Sequence, residues 1–261
     1  MRIFPAAIII VLLNLCFKSG ACALTIDFAG ITVTEDFNDF RGDGFSPDPL
    51  SGQLDSDEWK VTGLSSGTGT FGASHTNGDF SRGTSEGGVS TGGVYAFDVD
   101  NDSLSENYAL GVQPAGRDFT DGSLILQLFN NTGFNLTSLL IEYDVFVYND
   151  QDRTNSLSLL YSDDDLSYMD IADTDVVSPA DEDVSPQWES YTFSVNLGNM
   201  EILDNDNFYL QWYGSDEGGS GSRDEFALDN LRITGYMAAA GQASAASYCQ
   251  VWCLEKNQAA T

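Results

Sequence analysis

Ser190-Tyr191-Thr192-Phe193-Ser194-Val195-Asn196-Leu197 alternates polar and apolar residues without a break. A period of two sends Tyr191, Phe193, Val195 and Leu197 to one side of the chain, which predicts a strand with one face buried. The same period runs from Leu139 to Tyr148. Ile141, Tyr143, Val145 and Val147 share one face there, and Glu142, Asp144, Phe146 and Tyr148 share the other. Leu124, Leu126 and Leu128 likewise alternate with Ile125, Gln127 and Phe129.

Working outward, Leu24 to Phe28, Ile31 to Phe37, Trp59 to Leu64, Val94 to Val99, Tyr108 to Val112, Ser156 to Tyr161, Phe208 to Tyr213 and Glu225 to Ile233 also read as short strands. The glycine- and serine-rich stretch from Ser65 to Gly93 reads either as a large loop or as a loop holding two short strands, around Thr70-Phe71 and Phe80-Ser81. No segment before Tyr236 carries a sustained helical stripe. Short strands separated by Gly, Asp and Asn turns predict an all-β chain, a two-layer antiparallel β-sandwich of jelly-roll type. The domain is expected from about residue 24 to residue 235.

The ends read differently. Arg2, an apolar run from Ile3 to Phe17, and Ala21-Cys22-Ala23 match a secretion signal over residues 1–23, cut after Ala23. No later run is long and apolar enough for a transmembrane helix, so the mature chain is expected outside the cell or at its surface, with no membrane-spanning segment. Residues 236–261 read as an alanine-rich tail, a small terminal helix or a disordered extension, with Cys249 and Cys253. In an oxidising compartment this pair is expected as a disulfide, with free thiols or bonds to another chain as the alternatives. A loop that small adds little stability.

Charge narrows the function. The 261 residues hold 40 acidic and 10 basic side chains, a net charge of −30, against a hydrophobic content of 42% that supports a real core. Such a surface excludes nucleic acid as a partner, since phosphates need basic neighbours. It also disfavours anionic membranes and polyanionic substrates unless a metal ion intervenes. The single histidine, His75, disfavours zinc sites and histidine relays. It lies in the glycine-rich loop and reads as exposed, or as a lone base. No nucleophile elbow, phosphate loop or zinc-protease motif is present.

Several longer stretches carry a family likeness. They include Gly78-Asp79-Phe80-Ser81-Arg82-Gly83, the run from Gly87 to Phe97, Asn149-Asp150-Gln151-Asp152-Arg153-Thr154-Asn155-Ser156, and the run from Gly221 to Asn230. Together they resemble an uncharacterised domain of secreted or cell-surface bacterial proteins, often marine, over roughly residues 37–233. A looser resemblance is to jelly-roll carbohydrate-binding modules, through an early acidic strand and the late strand Ala227-Leu228-Asp229-Asn230-Leu231-Arg232-Ile233. That resemblance implies a calcium ion joining first and last strands, with Glu35 or Asp36 and Asp229 at the matching positions. Asp224 and Glu225 are the next candidates. Calcium is a reasonable cofactor here, because it takes six to eight hard oxygens and would relieve local carboxylate repulsion. A solvated acidic surface is the plainer alternative. Arg82, Arg117, Arg153 and Arg223 are expected to pin loops by pairing with carboxylates.

Sugar-binding sandwiches set aromatic rings against pyranose faces and polar side chains against hydroxyls. Phe146 and Tyr148 share one strand face; Tyr209, Gln211 and Tyr213 share another. These five are the candidate ligand contacts, with core packing as their alternative role. The expected function is a secreted, non-catalytic, calcium-stabilised module that binds a polysaccharide. The first alternative is a structural or adhesive protein contacting extracellular matrix or envelope proteins. The second is a polysaccharide-active enzyme, for which paired carboxylates would be the minimum machinery; no catalytic residue can be picked out among so many acids.

Overall fold

A computed structural model describes residues 23–101, 105–218 and 221–238. The secretion signal expected over residues 1–23, Ala23 apart, and the disulfide expected between Cys249 and Cys253 lie outside the described residues. In chain order the strands are β1 (Leu24–Ile26), β2 (Thr32–Glu35), β3 (Phe40–Ser46), β4 (Gly52–Asp55), β5 (Trp59–Thr62), β6 (Thr84–Ser85), β7 (Gly93–Asp98) and β8 (Tyr108–Gln113). The second half adds β9 (Asp121–Asn130), β10 (Leu136–Tyr148), β11 (Asn155–Ser162), β12 (Met169–Asp170), β13 (Val176–Val177), β14 (Trp188–Ile202), β15 (Asn207–Asp216) and β16 (Glu225–Tyr236).

These strands form two layers. The first sheet runs β1-β9-β15-β11-β12, with β5 beside β9 and β13 beside β11. The second runs β14-β10-β16-β8-β7-β6, with β2 against β16. The long ladders are antiparallel, as the alternation requires. Two short pairs, β1–β9 and β6–β7, are parallel and make the sheets mixed, and β3 and β4 pair in parallel as a separate two-stranded sheet. The architecture is a two-layer, jelly-roll-like β-sandwich.

Alternation and burial agree on the strands that decided the reading. On β10, Leu139, Ile141, Tyr143, Val145 and Val147 are buried, and the residues between them are half-buried. On β14, Phe193, Val195 and Leu197 turn inward opposite Tyr143, Ile141 and Leu139. Tyr191, on the same face, packs at the margin of the core and stays half-buried. Trp59 stacks on Trp212 with ring centroids 5.9 Å apart, and Trp212 meets Tyr143 of the other sheet edge-on at 5.5 Å.

The second sheet also buries part of its outer face. Tyr95, Phe97, Ala109, Ala227 and Trp188 form a smaller apolar cluster there, with Phe146 and Tyr148 packed against it. Close approach beneath this cluster needs a glycine. A Cβ at Gly111 would lie 2.1 Å from the Phe97 ring.

The Ser65–Gly93 stretch is ordered by hydrogen bonds with little regular structure. It holds a single 3-10 turn at Gly78–Phe80 and the two-residue β6; no strand forms around Thr70-Phe71. Asp79 knots it by accepting from Ser65 Oγ at 2.8 Å, Ser66 N–H at 2.6 Å and Arg82 Nη2 at 2.5 Å. Burial opposes the Asp79 charge, yet these donors hold its carboxyl below the usual range.

Gly111→Ala should destabilise the domain by about 1–3 kcal/mol, because neither the Phe97 ring nor the β16 backbone has room to retreat. A lower urea midpoint with an unchanged slope would show it; a midpoint within error of the parent would contradict this packing.

Candidate functional site

The aromatic candidates divide between the two sheets. Tyr209, Gln211 and Tyr213 alternate with buried Leu210 and Trp212, so all three stand on the outer face of the first sheet, half-buried. Each step between them spans about 6.6 Å. Tyr209 packs on Phe71 at 5.9 Å, and Lys60 lies over the same Phe71 ring at 4.6 Å. Lys60 also pairs with Asp165 at 2.5 Å, and Tyr168 Oη donates to Asp165 at 2.6 Å. Gln211 donates to Ser123 Oγ at 2.7 Å and Tyr213 Oη to Asp121 at 3.2 Å. Phe146 and Tyr148 sit on the outer face of the other sheet, so the five residues do not make one surface. Tyr148 leans on Trp188 at 5.2 Å, under the loop carrying Gly87.

Beside Tyr213 an open groove of about 420 Å3 runs over β11 and β15. Its floor includes Ser158, Leu160 and Tyr213, and its rim carries Asp170, Asp175 and Glu217. Ser156 Oγ donates to Glu217 at 2.8 Å and fixes that rim carboxylate. The sequence signals the floor through strand alternation. Asp170 ends β12, Asp175 lies between β12 and β13, and Glu217 follows β15, so the rim is gathered from separate segments that share no periodic signature.

The metal candidates also separate. Leu231 pairs with Glu35, so β2 places Glu35 and Asp36 beside the middle of β16. Asp229 lies there too, fully buried, accepting from Asn230 N–H at 2.7 Å and from Asn107 Nδ2 at 3.1 Å. Burial lifts its carboxyl to about 7, with Asp144 and Asp36 adding repulsion. Glu35 is raised mainly by burial. Asp224 and Glu225 stand at the start of β16, about 13 Å along the strand from Asp229. Neither exposes any surface. Burial, with repulsion from neighbouring Asp150, raises Asp224 to about 6 and Glu225 to about 9.

The arginines pin loops, but not always through adjacent acids. Arg223 pairs with Asp216, turning away from Asp224 and Glu225. Arg153 donates to the Ser222 carbonyl at 3.3 Å. His75 stacks on Phe80 at 4.5 Å and pairs through its backbone with Phe45, a structural placement.

No protein-family model matches the chain, and no curated protein is similar to it. Solved structures of loosely similar shape include a carbohydrate-binding module specific for non-crystalline cellulose, at 12% identity and a TM-score of 0.39, with 82% of this chain and 99% of that one aligned. The K1 cleaved adhesin domain of Lys-gingipain from Porphyromonas gingivalis aligns at 12% identity and 0.35, over 78% of this chain and 98% of that one. A CBM4 module aligns at 13% and 0.34, over 69% and 96%. No helix among the described residues is long and apolar enough to cross a membrane.

Asp229 generates a pH test. Its folded-state value, about 7, stands above the ordinary 3.8. The stability tied to its protonated form is therefore full below about 4 and is lost as pH rises through about 7. Asp229→Asn removes that dependence. With chelator present, the variant should gain about 2 kcal/mol on the parent between pH 5 and pH 8, read from urea midpoints. An equal difference at both pH values would place the Asp229 titration elsewhere.

Proposed function

We propose that the chain is a secreted, non-catalytic binding module whose ligand is a neutral polysaccharide, held on the outer face of the first sheet. The observation that carries this reading is the line Tyr209–Gln211–Tyr213 beside a groove edged by Asp170, Asp175 and Glu217. Rings spaced along a strand offer apolar faces to successive sugars, and the amide, hydroxyls and carboxylates around them match sugar hydroxyls. The groove volume falls in the range of small-ligand sites. The net charge of −30 favours an uncharged glycan over a sulfated or uronic one.

A second reading, adhesion to an extracellular protein, is supported by β14. Among the described residues this 15-residue strand ends its sheet and pairs only with β10, which leaves one edge for strand addition.

Titration calorimetry of the purified protein against soluble neutral glucans, galactans, mannans and xylans separates the two. Binding to one class is expected, with Tyr213→Ala and Tyr209→Ala each lowering affinity about tenfold, equivalent to about 1.4 kcal/mol. Unchanged affinity in both variants would remove the groove from the reading, and silence across the panel would leave adhesion as the better account.

A further inference from the structure

The ends of β10 and β16 gather buried oxygens that have nothing to bond. Tyr148 pairs with Glu225 in register, which brings Asn149 and Asp150 alongside Asp224 at the point where the ladder stops. Asn149 Oδ1, Asp150 Oδ1, Asp224 Oδ2 and Glu225 Oε2 are each buried without a hydrogen-bond partner. Elsewhere on the same groups the bonding is complete. Glu225 Oε1 accepts from Val89 N–H at 2.7 Å, Asp224 Oδ1 from Gln151 N–H at 2.9 Å, and Asn149 Nδ2 donates to the Asp181 carbonyl at 3.0 Å. Strand alternation sets Asp150 and Glu225 on the Tyr148 face of the sheet and Asn149 and Asp224 on the opposite face, so the unmet demand on the Tyr148 face belongs to Asp150 and Glu225. Leaving a buried carboxylate oxygen unpaired is costly, and leaving two on one face is costlier.

Among the described residues no Lys or Arg reaches ion-pair distance of Asp150, Asp224 or Glu225. Arg223, next in sequence, is committed to Asp216. No trio of Asp, Glu, His or Cys side chains among the described residues is already drawn together as a metal shell. The carboxylate contribution therefore centres on a facing pair, Asp150 and Glu225. Carboxylate oxygens are hard donors, suited to calcium or magnesium and ill suited to softer metals.

We infer that Asp150 and Glu225 bind a hard divalent cation of the calcium type between the ends of β10 and β16, water completing its shell. This site is distinct from the groove on the other sheet and does not depend on a glycan ligand. It also lies away from Glu35, Asp36 and Asp229, so a cation here closes the end of a ladder instead of joining the first strands to the last.

Thermal melting of the full chain, stripped with EDTA and then titrated separately with calcium and magnesium, tests this. Calcium at about a hundred times its Kd should raise Tm by roughly 5 °C or more, with a smaller response to magnesium. Equilibrium dialysis should count one tight calcium per chain. In Glu225→Gln, whose amide can donate to Asp150, the stripped protein should melt no lower than the stripped parent and the calcium response should vanish. Asp150→Asn serves as the second variant should Glu225→Gln fail to fold. Terbium placed at the site should emit on excitation of Tyr148 and Trp188, and both variants should lose that emission. Absence of a shift and of bound calcium in the parent would overturn the inference, leaving a proton shared by the two carboxyls. A calcium response retained in either variant would overturn it equally, by locating the ion elsewhere. A magnesium response equal to the calcium one would overturn the calcium preference.

Discussion

Everything in this sandwich hangs on a run of rings that crosses from one sheet to the other. Phe37 touches Trp59 edge-on at 5.4 Å, Trp59 stacks on Trp212, Trp212 meets Tyr143, and Tyr143 stacks on Phe193 at 5.0 Å. Trp59 and Trp212 belong to the first sheet, Tyr143 and Phe193 to the second. Each ring is buried on both sides, so the sheets can neither slide by a residue nor separate without exposing large apolar surfaces. Registers on both sheets follow from that contact. A slip of one position on β15 would turn Trp212 into solvent and bring Gln211 or Tyr213 into the core. The outward placement of Tyr209, Gln211 and Tyr213 is the other half of the same alternation, which makes the surface line a consequence of the core.

The second constraint is charge. A chain with so few cations has little with which to balance buried acids, and β16 buries three of them nearby or within it: Asp224, Glu225 and Asp229. Asp229 is handled by donors, one from the backbone of Asn230 and one from Asn107. Asp79 is handled by two serines and Arg82. At the start of β16 Asp224 and Glu225 each keep one buried oxygen without a donor, and burial, with repulsion from Asp150, raises Glu225 to about 9. The contrast between satisfied and unsatisfied acids along one strand is sharper than acidity alone, which the whole surface shares.

The strands that decide the fold were legible because alternation is a local property. Ile141 to Val147 and Phe193 to Leu197 point inward as their period requires. Less legible were β3 and β4. Gly42 and Gly44 sit at positive φ within β3 and break the side-chain pattern while letting backbone approach closely: a Cβ at Gly42 would collide with the Gly83 carbonyl at 2.1 Å. The same limit governs the site. Tyr209, Gln211 and Tyr213 share a strand, so their common face could be read directly. Asp150 could not be set beside Glu225, because that depends on which strand pairs with β10 and in what register. Residue type marked Asp224 and Glu225 as candidates, but not the company they keep. Phe146 and Tyr148 show the converse: their face was read correctly, while the loop over them and Trp188 came from distant parts of the chain.

The groove and the strand ends occupy different sheets, yet one segment serves both. Asp175 and Val177 wall the groove, and the next residue, Ser178, exchanges hydrogen bonds with Asn155 at the start of β11. A few positions on, the Asp181 carbonyl accepts from Asn149 Nδ2, and Asp183 N–H donates to the Asn149 carbonyl. Asn149 thus holds one end of the segment whose other end forms the groove wall. Those two bonds restrain how far residues 181–183 can lift from the sheet. Beyond the two residue pairs of β13, the wall is tied to β11 by Thr174 and Ile171 at Leu159 and by Ser178 at Asn155.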